Sequence, residues 1–581
     1  MSKQSDAANK FALKNVGKEV LDAAGAAGLR VLKDGEGEDG KSSVPWLDLP
    51  GSGRQLSAFA REAGQLLVEA PVYRRDKVPV TVNPEDGGLD VVTADRFRTL
   101  LEDYCVTCRS RFVVNNRATG EGQTEHDPAT MPRDCANGTL AADKFMHSLR
   151  QIARVNSAPL PVVRAAGQIE LLKPGYDELS QTYTLASEVR INEKLLPEEG
   201  AAMLRDYLKE FPFVDERSLA VAVAEMVALF VFGLQEVTAA RMGFLYKSNK
   251  VRSGKSLVAQ FGITACYGLA KGQTLSSQEE TKKLLDATAL QGLPYLFFDN
   301  LTGHLKSNLL ESFMTTPIWT GRVFGSNSKT FDAPKGTMVI ITGNNLTTSP
   351  DLAERCLLCS LHTEEADPQA RTFTRIFTPQ WLAKPAVRGD LLSALWALVR
   401  GWDKGRAAQA RTWRRIAGFE EWSDLIGGIV TAAGFVDPLQ RPKDEESTNP
   451  EQLDALELVD ELAKAMPAGK LLHEFTFQVL VDICRRNECF AWKFTDGKMA
   501  RGEAEDGSED WYECGSKTSS ALGRVFGTDM NAQIYTIKDG RRVRFGKRGR
   551  NRHRRYQVEI LPAPPPAVVA PVAPAPPETG N

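Results

Sequence analysis

The stretch Lys247–Leu257 reads KSNKVRSGKSL and ends like a nucleotide-binding phosphate loop. The full pattern, G-x-x-x-x-G-K-[ST], places a glycine where this chain has Asn249. Arg252 stands where a small, flexible residue would be easier to accommodate. Taken alone, the stretch fits either a phosphate cradle or a surface turn that happens to spell GKS. The sequence on both sides favours the first interpretation.

The flanking sequence has the strand–loop–helix order that a phosphate loop requires. MGFLY, which ends at Tyr246, predicts a strand before the loop, and SLVAQFGITACYG, which begins at Ser256, predicts a helix after it. The start of a helix directs backbone N–H groups at a bound phosphate. Lys255 would reach the β- and γ-phosphates and Ser256 would ligate Mg²⁺. The predicted nucleotide contacts are Asn249, Lys250, Ser253, Gly254, Lys255, Ser256 and Leu257.

Three polar positions further along the chain complete a candidate catalytic set. LPYLFFDN predicts an apolar strand ending in Asp299, a second Mg²⁺ ligand. GTMVIITGNN predicts another strand, which ends in Asn344 and Asn345. Such an amide can orient an attacking water, and Asn345 is the candidate taken forward. Arg355, in DLAERCLL, is placed to act as an arginine finger on the γ-phosphate of a neighbouring subunit. This order of motifs indicates a nucleotide-hydrolysing core.

The motifs and their order resemble the AAA+/superfamily 3-type helicase domains of phages, plasmids and integrated mobile elements, which often accompany primases. Those domains carry a loop similar to A-N-K-P-G-S-G-K-T, so Asn249 and Lys250 fit the resemblance and Arg252 departs from it. The resemblance covers about residues 160–435. It implies ATP and Mg²⁺ as cofactors, a closed ring of subunits, most often six, and translocation on single-stranded DNA.

The residue after Asp299 is Asn300, where many such ATPases carry the carboxylate that polarises water. One interpretation assigns that role to Glu279 or Glu280, of which Glu280 is the candidate taken forward. The other treats both as charges at the start of a helix, because SSQEETKK has good helix-start chemistry. A third possibility is that hydrolysis is slow or absent. The sequence leaves these alternatives open.

The 581 residues form an ordinary soluble composition, 42% hydrophobic and 25% charged, with a formal net charge of -2. Nine scattered cysteines favour a reduced, cytoplasmic setting. The apolar run Ser218–Leu234 carries Glu225 and predicts a buried helix, so no membrane association is expected.

The predicted fold class is multidomain α/β, with a P-loop AAA+-like parallel-sheet core. The predicted divisions are a disordered 1–45, an α/β module 46–170, a helical collar 171–237, the ATPase core 238–367, a helical subdomain 368–437, a linker 438–452, a winged helix 453–561 and a disordered Pro/Ala-rich tail 562–581.

The C-terminal module carries a strongly basic segment. Residues 541–555 read RRVRFGKRGRNRHRR, and nine of the fifteen are Lys or Arg. Two β-like runs bracket the segment, and SKTSSALGRVFG upstream predicts a short helix with a Ser/Thr cap. A helix followed by a basic hairpin predicts a winged helix on duplex DNA rather than a solvated tail, the alternative interpretation. The predicted DNA contacts are Arg541, Arg542, Arg544, Lys547, Arg548, Arg550, Arg552, Arg554 and Arg555.

A second DNA-binding surface follows from the resemblance alone. In superfamily 3 helicases a hairpin before the sensor strand projects into the pore, and GRVFGSNSKTFDAP occupies that place. Lys329 is the candidate contact to single-stranded DNA, with Lys306 and Arg322 as weaker ones. An ordinary loop lysine is the alternative.

A zinc site is a weaker possibility in the N-terminal module. Cys105 and Cys108 form a CVTC motif, and His126 and Cys135 follow at loose spacing. Ordinary buried cysteines are the preferred interpretation.

The sequence therefore predicts an ATP-driven DNA helicase or replication initiator of a mobile element, with a primase or other replication proteins as possible partners. Two alternatives remain. The first is a nucleotide-dependent switch that assembles on an origin without unwinding it. The second is a structural DNA-binding protein with a relic ATP site.

Overall fold

The computed structural model describes residues 45–51, 53–68, 70–84, 87–116, 120–250, 252–323, 330–344, 346–363, 375, 377–440, 450–487, 489–490, 493–494, 499–503, 509–548 and 555–562. The chain forms two compact units, 1–440 and 441–581. Their boundary falls inside the predicted linker 438–452.

The N-terminal part of the first unit mixes short strands and helices, as the alternation of apolar runs and turns predicts. Its elements are β1 Trp46–Asp48, α1 Leu56–Leu66, β2 Val72–Arg75, β3 Val78–Val82, β4 Leu89–Val91, α2 Ala94–Glu102, β5 Val106–Asn116, β6 Glu121–Pro128, α3 Arg133–Leu140, α4 Asp143–Ser148, β7 Arg150–Gln151, β8 Arg154–Asn156, β9 Pro161–Val163, β10 Ile169–Leu171, β11 Gly175–Asp177 and β12 Thr182–Thr184. They form four small sheets with the orders β1-β5-β6, β4-β3-β2-β7, β10-β9 and β11-β12-β8.

Two helices follow, α5 Pro197–Leu208 and α6 Glu216–Phe230. Asp215 caps α6 by accepting a hydrogen bond from the Ser218 N–H at 2.7 Å. Nearly the whole of α6 is buried, which confirms the predicted buried helix. Among the described residues, no helix combines the length and the apolar character that crossing a bilayer needs. The predicted collar is helical only in its second half, because β11 and β12 occupy its start.

The core of the first unit is built by alternating strands and helices. Its elements are β13 Gly243–Ser248, α7 Lys255–Tyr267, β14 Gly272–Gln273, α8 Gln278–Gln291, β15 Tyr295–Leu301, β16 His304–Leu305, α9 Asn308–Thr315, β17 Ile318–Arg322, β18 Thr330–Pro334, β19 Met338–Asn344, β20 Thr347–Thr348, α10 Pro350–Glu354 and β21 Cys356–Leu361. Three further helices follow, α11 Pro379–Leu382, α12 Pro385–Gly405 and α13 Glu420–Ala432.

Five of these strands form one sheet in the order β14-β15-β19-β13-β21, and every pairing in it is parallel. The sequence predicted a parallel sheet from the strand–helix alternation, and the structure confirms it. The carboxyl ends of all five strands therefore lie at one edge. That edge is where open parallel sheets bind ligands.

Side chains alternate between the two faces of this sheet. Phe244 and Tyr246 of β13 belong to a cluster with α6, α7, α12 and α13, whereas Leu245 belongs to a cluster on the other face with α8 and α9. Each such buried side chain contributes about 1.5–3 kcal/mol relative to an exposed one. Both faces are covered, so the sheet edge holds its loops on a rigid base.

The second unit has its own hydrophobic core. Its elements are α14 Pro450–Lys464, β22 Leu472–Thr476, α15 Phe477–Arg486, β23 Met499–Glu503, β24 Glu509–Glu513, α16 Ser516–Arg524, a π-helical turn Val525–Asp529, β25 Ile534–Thr536, β26 Arg542–Arg548 and β27 Arg555–Leu561. The antiparallel sheet runs β22-β27-β26-β25. The predicted helix exists as α16, but the predicted Ser/Thr cap is wrong, because the capping position is Gly515 and no side chain caps the helix.

Candidate nucleotide-binding site

The loop Asn249–Gly254 joins the carboxyl end of β13 to the first turn of α7, with Lys255 as the first helical residue. Gly254 has φ +92°, and a Cβ placed there would lie 2.9 Å from the Phe211 ring. Glycine is therefore required at this position for both its backbone conformation and its close approach. The strand–loop–helix context that the sequence predicted is confirmed.

Arg252 also lies in the left-handed region, with φ +63°. A residue with a Cβ pays about 1–2 kcal/mol for that conformation, which glycine adopts freely. The exposed arginine thus takes the backbone shape that the expected glycine would have, and the loop keeps its path with some strain.

Two buried polar groups of the loop are suited to an anion. The Ser253 hydroxyl is buried and makes no hydrogen bond within the described residues. Lys255 is only 5% exposed. Burial lowers the pKa of Lys255, and nearby Asp299 opposes that shift. An orphaned hydroxyl and a desolvated ammonium at a helix N-terminus are what a phosphate group would satisfy.

Thr342 connects the carboxylate to the loop. Its hydroxyl donates to Oδ1 of Asp299 at 2.6 Å and accepts from the Asn300 N–H at 2.8 Å. The Ser256 hydroxyl lies 3.4 Å from the same Thr342 oxygen. Ser256 and Asp299, the two predicted Mg²⁺ ligands, therefore meet at the same edge of the sheet. Sequence analysis did not identify Thr342. Its only signal in the sequence is its position near the end of a predicted strand, two residues before Asn344 and so on the same face of that strand.

A chain of amides and hydroxyls continues across the strand ends. Asn344 donates to Oδ1 of Asn300 at 3.4 Å, and its own Oδ1 lies 2.9 Å from the Ser248 hydroxyl. Asn300 has φ +56° at an irregularity in β15, a conformation that asparagine tolerates better than most residues. Asn345, the predicted water-orienting residue, lies outside the described residues. Its neighbour Asn344 is the amide that the structure brings to this edge.

The remaining predicted nucleotide contacts have other partners as well. Asn249 donates to the Thr363 carbonyl at 2.9 Å and accepts from the Thr363 N–H at 3.1 Å, which ties the loop to the segment after β21. The Lys250 carbonyl oxygen lies 2.9 Å from the Ser248 hydroxyl. Leu257 is half-buried against the core. Asn249 thus holds the loop in place through its side chain.

Glu279 and Glu280 lie in the first turn of α8, where the Ser277 side chain accepts a hydrogen bond from the Glu280 N–H. Both carboxylates pair with Lys283, at 3.2 and 2.8 Å, and both are exposed. This is the arrangement of the second interpretation, acidic charges at a helix start. β14, the strand before them, ends five residues before α8 begins, so neither glutamate lies on the sheet.

Arg355 lies at the opposite end of the sheet from the phosphate loop. It precedes β21, whose first residue pairs with Gly243 at the start of β13. Since β13 rises about 3.3 Å per residue, Arg355 and its own loop are separated by about 16 Å or more. Its guanidinium forms a 2.7 Å ion pair with Asp351. Arg355 therefore has no route to the nucleotide of its own subunit.

The predicted hairpin before the sensor strand exists, formed by β17 and β18 in antiparallel register. Its strand β17 is fixed to α8 by Asp286, which accepts from the Trp319 indole N–H at 2.7 Å and from the Arg322 N–H at 3.2 Å. Lys306 and Arg322 are exposed. Lys329, the main candidate for a DNA contact, lies outside the described residues.

In the second unit the basic segment forms part of the sheet. β26 pairs with β25 and β27, and buried Val543 and Phe545 alternate with exposed Arg544. Three arginines of the basic segment form ion pairs: Arg541 with Asp539, Arg544 with Glu559 and Arg548 with Glu474. Such exposed pairs contribute at most about 1 kcal/mol, so a phosphate can replace the acid. Arg542 and Arg555 are half-buried and Lys547 is exposed, whereas Arg550, Arg552 and Arg554 lie outside the described residues.

The predicted zinc ligands are only partly brought together. Cys108 and His126 lie close to each other and to Asp48, a residue that sequence reasoning missed. Cys105 and Cys135 do not belong to this group.

No protein-family model and no curated protein matches the chain. Among solved structures, the apo C-terminal region of NrS-1 is similar, at 11% identity, with 77% of this chain and 97% of that chain covered and a TM-score of 0.37. The JCV helicase is similar at 14% identity, with 42% of this chain and 68% of that chain covered and a TM-score of 0.20. Both TM-scores are below 0.5, so neither likeness assigns a function to this chain.

Proposed function

We propose that the chain is an ATP-dependent DNA helicase or replication initiator with an AAA+-like core. The observation that carries this proposal is the meeting of Lys255, Ser256 and Asp299 at the carboxyl edge of a five-stranded parallel sheet. The orphaned Ser253 hydroxyl at the same loop supports a phosphate ligand. Lys255 and the first N–H groups of α7 hold the phosphates, while Ser256 and Asp299 hold Mg²⁺.

The hydroxyl and amide side chains along the carboxyl ends of the strands position and activate the attacking water. Thr342 keeps Asp299 oriented through a 2.6 Å hydrogen bond, and Asn344 or its neighbour Asn345 orients the attacking water. Glu280, the proposed base, has to break its ion pair with Lys283 before it can accept a proton from the water. Mg²⁺ supplies charge neutralisation at the phosphates when it is bound.

The position of Arg355 supports an oligomer in which nucleotide sits between subunits. An arginine finger acting on a neighbour has to lie on the side of the subunit away from its own loop, and Arg355 does. A repeated head-to-tail contact of this kind forms a closed ring when the rotation between neighbours closes. We propose six subunits, in line with the resemblance of the sequence.

Two surfaces of the chain are proposed to bind DNA. The β17–β18 hairpin, together with Lys329, would contact single-stranded DNA in the ring. The basic β26–β27 hairpin and α16 would contact duplex DNA as a winged helix, through Arg541, Arg544 and Lys547 among others. Because these contacts are to phosphates, binding would weaken steeply with salt.

The direct test measures ATPase activity with and without saturating DNA, together with strand displacement on forked substrates of both polarities. We expect DNA to stimulate hydrolysis and ATP to drive displacement in the wild type. Lys255→Ala should lose hydrolysis and displacement. Lys194→Ala, a change at an exposed lysine before α5, should keep both activities. Absence of ATPase activity at saturating DNA would reject the helicase.

A switch that assembles on DNA without unwinding it is the second candidate. Three observations favour it: the strained Arg252, an amide at Asn300 in place of a carboxylate, and the engagement of Glu280 with Lys283. It predicts nucleotide-dependent DNA binding with no hydrolysis. A relic site would instead leave ATP binding unchanged in Lys255→Ala, so a nucleotide-binding assay separates this third possibility from the other two.

A further inference from the structure

Three strands of the N-terminal part bring metal-ligating side chains to one place. In the parallel pair β1–β5, Asp48 lies opposite Cys108. In the antiparallel pair β5–β6, Ser110 lies opposite His126. Residues two apart in a strand share a face, so Cys108 and Ser110 point to the same side. The topology therefore collects a carboxylate, a thiol and an imidazole from three different strands.

The separations within this group suit a tetrahedral metal ion. One ligand atom from each of Asp48, Cys108 and His126 lies within 4.8 Å of the other two. The Cys108 sulfur is 3.4 Å from Oδ1 of Asp48. In a tetrahedral zinc site, with Zn–S of about 2.3 Å and Zn–O of about 2.0 Å, the sulfur and oxygen are about 3.5 Å apart. Two of the three ligands already have the required spacing.

Neighbouring side chains orient these ligands. The Ser110 hydroxyl contacts both Oδ1 of Asp48 and Nδ1 of His126. Arg54 lies 4.0 Å from Oδ2 of Asp48, the other carboxylate oxygen. Outer groups of this kind commonly fix the tautomer and the direction of metal-binding side chains.

We propose that Asp48, Cys108 and His126 bind one zinc-type divalent ion, with water in the fourth position. A ligand set that contains sulfur and imidazole favours zinc or cobalt over calcium or magnesium. Since each ligand comes from a different strand, the ion clamps β1, β5 and β6 together. Two other residues of the CVTC…H…C pattern are not ligands: the buried Cys105 thiol donates to the Leu101 carbonyl, and Cys135 lies on α3.

Cobalt titration of the full-length, chelator-treated protein tests this site without any need for ATPase activity. We expect one equivalent of Co²⁺ to produce a sulfur-to-cobalt charge-transfer band and visible bands of tetrahedral intensity. Cys108→Ser should abolish the charge-transfer band, whereas Cys135→Ser, a change at a half-buried cysteine outside the group, should keep it. A band that persists in Cys108→Ser, or no band in the wild type, would overturn the proposal.

His126→Asn keeps the test decisive if Cys108→Ser does not fold, because His126 is only partly buried on an exposed strand. This variant should retain the sulfur band but bind Co²⁺ about tenfold or more weakly. Zn²⁺ should raise the thermal midpoint of the wild type more than that of His126→Asn. Equal affinity and equal stabilisation in the two proteins would exclude His126 as a ligand and contradict the proposed site.

Discussion

Arg252 shows how one residue can keep the path of a phosphate loop while adding strain to it. Its φ of +63° is the conformation in which glycine has the advantage, and the side chain is exposed. Arg252→Gly should therefore be more stable than Arg252→Ala by about 1 kcal/mol, since the alanine variant also removes the side chain but keeps the Cβ. Urea denaturation of both variants measures the difference. Equal stabilities would show that the backbone here is not strained.

Glu225 is the second residue with a clear energetic consequence. It is fully buried in α6, and neither carboxylate oxygen has a hydrogen-bond partner within the described residues. Burial raises its pKa well above the ordinary 4.5. The folded state therefore holds a proton that the unfolded state releases, so the contribution of Glu225 to the free energy of unfolding is highest below pH 4.5 and falls as the pH rises towards the folded pKa.

Two substitutions separate the titration of Glu225 from its burial. Glu225→Leu should stabilise the protein at neutral pH by about 1–3 kcal/mol, because it removes an unsatisfied polar group of similar size. Glu225→Gln keeps the polarity and should gain less, but both variants should lose this pH-dependent decline. Unfolding measured across the acidic to neutral range checks both effects. If the free energy of unfolding of Glu225→Leu fell with pH as it does in the wild type, other groups would be the cause of that fall.

At the scale of elements, the β17–β18 hairpin is attached to α8 through Asp286. This buried carboxylate holds the Trp319 indole and the Arg322 N–H, and Lys282 pairs with it at 2.8 Å. Asp286→Ala should loosen strand β17 of the hairpin and destabilise the protein by about 1–3 kcal/mol, because the indole N–H is left buried without a partner. The ratio of DNA-stimulated to unstimulated ATPase rates should fall.

Asp332→Ala is the matched control for Asp286→Ala. Asp332 lies on the same hairpin but on its exposed face, where it accepts a hydrogen bond from Thr320. Its replacement should change stability and the stimulation ratio far less. If the two variants behaved alike, Asp286 would have no special role in positioning the hairpin.

The elements of the core were largely predictable, because apolar runs and helix-start signals report local structure directly. MGFLY, LPYLFFDN and GTMVIITGNN overlap the observed strands β13, β15 and β19, and the helix that was expected from Ser256 begins at Lys255. The hydrogen bonds that orient the site were not predictable. Thr342 and Asp286 act through partners 43 and 33 residues away, and only the folded sheet brings these together. Asp48 was missed for the same reason.

At the scale of the whole first unit, part of the predicted N-terminal module shares its core with the five-stranded sheet. Tyr73 and Val80 belong to the same hydrophobic cluster as Leu296 and Phe298 of β15. Arg75 extends this contact, since its buried guanidinium donates to carbonyl oxygens of Ala289, Ile152, Ala153 and Pro334. Strands β2 and β3 are thus packed into the same core as the five-stranded sheet.

Arg75→Ala tests that connection. Four carbonyl oxygens lose a charged donor, so we expect a loss of about 3 kcal/mol or more in the free energy of unfolding. Arg74→Ala is the control, because Nε of Arg74 has no hydrogen-bond partner within the described residues and the change should cost much less. Chemical denaturation compares the two. Similar losses would mean that the Arg75 contacts do not hold the module to the core.

The central claim is that one nucleotide site is completed by two subunits, with Lys255 from one and Arg355 from the next. Mixing Lys255→Ala and Arg355→Ala proteins tests it most directly. Each variant alone should be inactive as an ATPase, but an equal mixture should regain activity, because about one quarter of randomly formed interfaces contain an intact Lys255 facing an intact Arg355. A mixture as inactive as its components, or an Arg355→Ala protein with full activity, would contradict the account.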